Sequence, residues 1–216
     1  MRLLIISPCL IIFGRFFMKK FLLGALMLLT SFNANASDID LVKPDTTGGM
    51  PLLDAISARR TGRQFADKML SDKDLSTLLW TAWGYSSDDE RRVVPTARNL
   101  QDMDLYVATK DGWYLYDAKQ NKLIQKGDKD LRVIIAHGQN FAESAPVHLL
   151  FVTKDKKYGE VHAGSMYENT SLYCASAKLQ CVVRAWYDRA ELKEAMGLEG
   201  ELEVVMTFAA GYPAEQ

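Results

Sequence analysis

Acidic residues are missing from the first 36 positions, which carry Arg2, Arg15, Lys19 and Lys20. A basic pair (Lys19, Lys20) is followed by the apolar run 21–29, a polar stretch and Ala34-Asn35-Ala36, the order of a secretory leader. No uninterrupted apolar run here reaches the ~20 residues that span a bilayer comfortably. The reading is therefore a signal peptide over 1–36 cleaved after Ala36, with Met18 an equally good start, and a periplasmic or secreted protein. Cleavage leaves 180 residues, enough for one cored domain. The net charge moves from −1 to −5, because four basic and no acidic residues leave. That mild acidity disfavours nucleic acid as a partner.

Cysteine and histidine are also scarce, at three residues each. Cys9 falls in the leader. Cys174 and Cys181 lie seven apart in a stretch that reads as a helix or its exit, where two turns separate them by about 10 Å, beyond disulfide reach. They read as two small buried residues. His137, His148 and His162 are scattered, with no zinc-like spacing, so no metal site is expected. Repeats and low-complexity tracts are absent, which excludes solenoids and linker arrays.

Residues 37–50 form a polar N-terminal arm with Pro44 and Gly48-Gly49, ahead of a single domain over 51–216. Apolar spacing predicts a helix over 52–60, and Ser71 with Asp74 opens a capped helix that Gly84 closes. Residues 86–101 read as a long polar loop. Strands are expected over 105–109, 113–116, 122–125, 147–152, 182–183 and 204–209, with Asp111-Gly112 as a hairpin turn. Helices are expected over 131–136, 161–178 and from Asp188 to Gly197. Without strict β-α-β alternation, this is an α+β domain with a sheet covered by helices.

Four features could carry chemistry. Arg59-Arg60-Thr61-Gly62-Arg63 places three guanidiniums and a hydroxyl within five residues, a donor set for phosphate. The plainer alternative is a basic helix end complementing its dipole. Pro95-Thr96-Ala97-Arg98-Asn99-Leu100-Gln101 is a loop whose amides suit the edge of a flat heterocycle, although most such loops are turns. Trp80, Trp83, Tyr85, Trp113, Tyr114 and Tyr116 could sandwich a planar ligand or simply fill the core. The backbone N–H groups around Arg184-Ala185-Trp186, just before a capped helix, could donate to a ligand.

The order of these segments resembles one family. "SARRTGRQF" resembles the Arg-Arg-Ser-x-Arg-x-Phe opening of FMN-dependent nitroreductases, and "VPTARNLQDMDLYV" their Pro-Ser-Ser-x-Asn-x-Gln loop and strand. "SAPVHLLFV" is similar to their Ala-Pro-apolar strand, "AGSMYENTSLYCASAKL" to their long dimer helix, and "WYDRAELKEAMGL" to the loop and helix that follow. The "WYLYDAKQNKL" hairpin further resembles the branch that oxidises azolines in modified peptides. The resemblance implies a mainly antiparallel sheet covered by helices, a homodimer with FMN in each interface cleft, and a small-molecule substrate. By motif position, Arg59 and Arg60 would hold the phosphate, Thr61 the ribityl chain, and Arg63 the pyrimidine edge. Pro95, Thr96, Ala97 and Asn99 would come from the partner subunit, and Ala185 and Trp186 would lie near the flavin N5. Gln139 or Asn140 would add a contact. Reduction puts negative charge on the pyrimidine edge, which is where a fixed cation helps. The motifs name no acid or base, substrate or electron donor. The chain departs from the pattern in two places: it has no Lys or Arg after Lys193, and Ala185-Trp186 replaces the usual Glu-Gly. Two rival readings remain, a flavin-less binding protein of the same fold and an envelope interaction module.

Overall fold

A computed structural model describes residues 37–86 and 90–215. The expected leader over 1–36 and its cleavage point lie outside the described residues. Seven strands form one sheet: β1 (Ile39–Asp40), β2 (Asp104–Thr109), β3 (Gly112–Asp117), β4 (Lys122–Gly127), β5 (Val147–Thr153), β6 (Gln180–Arg184) and β7 (Glu203–Gly211). They are ordered β1-β4-β3-β2-β5-β7-β6, and every pairing among them is antiparallel. Central β5 is buried at all seven positions, as its near-continuous apolar run requires.

Helices cover both faces. Alternation along the strands sends Leu105, Val107, Leu149 and Phe151 to a core shared with α2 (Asp72–Trp83) and α5 (Gly159–Ser176). Tyr106, Ala108, Leu150 and Val152 face the other way, against Leu131 and Ile135 at α3 (Arg132–Ala136) and Leu192 and Met196 at α6 (Arg189–Ala195). Each fully buried large apolar side chain contributes about 1.5–3 kcal/mol, so the two sheet faces carry most of the stability. The caps form as their sequences dictate: Ser71 Oγ accepts from Asp74 N–H at 3.1 Å, and Asp188 Oδ1 from Glu191 N–H at 2.9 Å.

Several boundaries differ from expectation for local reasons. The arm contributes β1, which pairs Ile39 with Leu123 of β4. The first helix, α1, spans Leu52–Ala58 and buries only Ala55; Leu52, Leu53 and Ile56 face outward at 64%, 77% and 51% exposure. A short α4 (Asn140–Glu143) lies in a stretch with too few apolar positions to show a period. The cysteines correct a geometric argument. Both are free and buried, as read. However, α5 stops at Ser176 and the chain turns back through a Leu179 N–H to Cys174 carbonyl bond of 2.8 Å, so Cys181 lies on β6. The helical rise therefore does not apply. Burial pushes the Cys174 thiol up.

Candidate functional site

The arginine segment is built by the end of α1 and the edge of the sheet. After Ala58 the chain runs alongside the outermost strand, where Gly62 N–H donates to the Cys181 carbonyl at 2.9 Å. A Cβ on Gly62 would collide with the Gln180 side chain, so a glycine lets the segment lie this close to β6. The segment then crosses the exit of β7, through Ala66 N–H to the Tyr212 carbonyl at 2.9 Å and a bridge from Phe65 to Pro213.

The three arginines behave differently. Arg60 Nη1 donates to the Ser57 and Arg59 carbonyls at 2.9 and 2.7 Å, so it also caps its own helix, the plainer reading of the cluster. Arg59 makes one loose contact, 3.8 Å from Nε to Glu168 Oε1 of α5. Arg63 rests with its guanidinium carbon 5.6 Å from the Phe141 ring centroid and has no carboxylate among the described residues. Thr61 is exposed beside them.

Phe141 joins this cluster to the second candidate segment. The guanidinium carbon of Arg184, at the end of β6, also lies near this ring, 5.9 Å from its centroid. Arg184 is only 5% exposed, and no carboxylate among the described residues pairs with it. Its Nε donates to Gln139 Oε1 at 3.0 Å, Nη1 to the Ile135 carbonyl at 2.7 Å, and Nη2 to the Ala136 and Trp186 carbonyls, both at 2.8 Å. Carbonyls at the α3 C-terminus thus stabilise a buried cation. Burial lowers the Arg184 pKa from its ordinary value, although the group stays cationic. The result is a fixed Ala185-Trp186 turn with Trp186 65% exposed, its indole edge-on to His137 at 6.0 Å. Gln139 is therefore committed to Arg184, and Asn140 is exposed at the start of α4. In the sequence, Arg184 is read only through the backbone of Arg184-Ala185-Trp186; its side-chain role and Phe141 are missed, and the available signal is a lone arginine ending the apolar Val182-Val183 pair.

The third segment lies apart. Residues 95–101 contain a 3-10 turn over Ala97–Asn99 and are fastened to α5 by Ala97 N–H donating to His162 Nε2 at 2.8 Å. No hydrogen bond or ion pair among the described residues joins Pro95, Thr96, Ala97 or Asn99 to the arginine segment of the same chain. The aromatic set divides between cores: Trp83, Tyr114 and Tyr116 pack with α2, and Trp113 packs on the opposite face. A separate hollow of about 770 Å3 lies among Gly49, Trp80, Asn169 and Tyr173 and takes in none of the three arginines.

Comparison with known proteins gives this arrangement a lineage. Residues 56–212 match the nitroreductase family. A provisionally assigned nitroreductase of Methanocaldococcus jannaschii is 25% identical over 169 residues, covering 68% of this chain and 85% of that protein. The crystal structure of another provisionally assigned nitroreductase, from Ralstonia eutropha JMP134, is 36% identical with a TM-score of 0.77, covering 83% of this chain and 90% of that one. The Escherichia coli microcin synthetase complex, at 17% identity and a TM-score of 0.62, covers 82% of this chain and 79% of that one and shares the fold alone. The chain belongs to the nitroreductase family and is an oxidoreductase.

Proposed function

We propose that the protein is an exported, FMN-dependent oxidoreductase that acts as a homodimer on a small organic substrate. The observation that supports this reading is the approach of both Arg63 and Arg184 to the ring of Phe141, at 5.6 and 5.9 Å from its centroid, which brings the phosphate-type donor cluster and the Ala185-Trp186 turn to one place. The donor set suits the cofactor. Three guanidiniums and a threonine hydroxyl, with a single carboxylate contact at 3.8 Å, make a cationic cradle for a phosphate monoester.

Bound FMN supplies two-electron exchange between a donor and an acceptor that occupy the cleft in turn. Arg59, Arg60 and Thr61 hold its anionic tail. Arg63, with the buried charge of Arg184 near the same Phe141 ring, would place positive potential beside the edge of the flavin that gains negative charge on reduction. Ala185 and Trp186 line the reacting face, and Pro95, Thr96, Ala97 and Asn99 of the partner subunit close the cleft. No side chain here is assigned to proton transfer, so the protein's contribution is binding, orientation and charge. The leader-like 1–36 supports export.

A second reading is a flavin-less binding protein. It is favoured by Arg60 spending donors on its own helix. Purification separates the two. A yellow protein with flavin absorbance, or a colourless one that takes up added FMN, supports the enzyme. Arg59→Ala with Arg63→Ala should weaken FMN retention about a hundredfold or more, because two charge-assisted contacts are lost. A wild-type protein that ignores FMN in an equilibrium titration sinks the reading.

A further inference from the structure

Non-glycine residues avoid the backbone shape that this chain adopts over 95–101. Arg98, Asn99 and Gln101 have φ values of 53°, 55° and 48°, a left-handed region in which Cβ crowds the following carbonyl. Asparagine tolerates it; arginine and glutamine do so less readily. Such a run persists only where its surroundings over-determine it, and strain of this kind gathers at binding loops.

The surroundings are specific. Ala97 N–H donates to His162 Nε2 at 2.8 Å, and His162 Nδ1 lies 2.9 Å from Asp102 Oδ1. Gln101 N–H donates to Thr96 Oγ1 at 3.1 Å, and its side-chain amide is bracketed by Arg92 Nε at 3.1 Å and the Glu90 carbonyl at 2.9 Å. His162 is 3% exposed and stacks on Tyr158 at 6.0 Å. Thr153 Oγ1 donates to the Asp102 carbonyl at 2.9 Å, which ties that residue to β5.

An aspartate–histidine pair at this distance has the outline of an acid–base relay. The hydrogen bonds argue against one. A main-chain N–H can only donate, so Nε2 must be the acceptor and the imidazole proton must sit on Nδ1, facing Asp102. The ring's one lone pair is already taken, and none is left for a substrate proton. What remains is a rigid connector between a loop amide and a carboxylate anchored on the sheet.

We infer that His162, oriented by Asp102, is a positioning residue for the cofactor loop, holding 95–101 in the left-handed shape that turns Arg98 and Asn99 outward. Both side chains are exposed on the crest of the loop. The inference rests on the flavin reading above and extends it to two residues outside the motif. The imidazole sets the loop's shape in the free chain, so the cleft of the other subunit meets a preformed wall rather than a loop it must order.

The test pairs hydrogen exchange with FMN titration of the full chain. In His162→Leu, the Ala97 and Gln101 amides should lose protection and the FMN Kd should rise about tenfold, while amides of β5 and β7 keep theirs. Asp102→Ala should weaken FMN in the same direction, because it frees the imidazole to take the wrong tautomer. His162→Gln, whose amide oxygen can accept, should recover part of the loss. If His162→Leu does not fold, the Asp102→Ala and His162→Gln pair carries the comparison. FMN affinity within twofold of wild type, with the loop amides exchanging freely, overturns the inference and leaves the functional reading intact. A wild-type chain that binds no FMN overturns the functional reading and, with it, this one.

Discussion

At the scale of single residues, histidine shows how position overrides type. His148, on the fully buried β5, donates from Nε2 to the Ala142 carbonyl at 2.8 Å, while its buried Nδ1 has no partner among the described residues. Burial first, and then the charges of Arg184 and Arg132, lower its pKa from 6.5 to about 4. In the window between those values the unfolded chain binds the proton and the folded one does not, so stability rises with pH. It is fully present above about 6.5 and falls by roughly 3 kcal/mol on acidification to about 4. Denaturant titrations across that window should therefore show a slope that His148→Leu flattens. Equal slopes in the two proteins would exclude His148 as the cause. The sequence alone showed three scattered histidines; what separates His148 from His162 is the partner each ring meets from a distant part of the chain, and spacing does not encode that.

Among the elements, Arg184 fastens β6, the end of α3, Gln139 and the Ala185-Trp186 turn with one guanidinium. Replacing it by methionine keeps much of the volume but takes the guanidinium away from the buried Ile135 and Ala136 carbonyls and the partly buried one of Trp186. The expected loss is about 3 kcal/mol, a Tm drop of roughly 6–12 °C for a chain of this size. Lysine should recover little, because a point donor cannot span the same fork. A Tm within 2 °C or so of wild type in Arg184→Met would show that the turn is held by packing instead. Much at this scale was legible in advance. Caps at Ser71 and Asp188 and the apolar runs of β5 and β7 are local signals and formed where local chemistry placed them, while the hairpin formed one residue earlier than expected, turning at Lys110-Asp111 with Gly112 already on β3 opposite Thr109. The failures are equally physical. Helix α5 begins and ends two residues earlier than its apolar period suggests, and that reversal before Cys181 depends on contacts with β6. The site motifs could be found as donor-rich segments, but their meeting through Phe141 could not, because no periodicity relates residues 63, 141 and 184.

For the whole molecule, the open question is what covers α1. Leu52, Leu53 and Ile56 stand exposed beside the arginine segment, with Val161 of α5 also 64% exposed. An apolar face of this kind is costly to leave wet, and the cofactor loop of one chain does not reach its own arginines. Both facts suit the proposed dimer, in which two copies cover this face and exchange loops. Leu53→Asp should shift the protein to monomer in light scattering coupled to size exclusion and should lose FMN in parallel. A mutant that stays dimeric would place the seam elsewhere.

The short first strand has a different consequence. Among the described residues, Ile39 and Asp40 alone pair as a strand along the β4 side of the sheet, and Lys122 sits 3.3 Å from the Asp40 carboxylate and 4.0 Å from that of Asp38. A border two residues wide and dressed in opposite charges gives an incoming strand almost no template to zip onto. The apolar ribbons at the middle of the sheet are thereby kept from growing into fibres at its outer margin. A polar arm that looks expendable on paper is the hem of this side of the sheet.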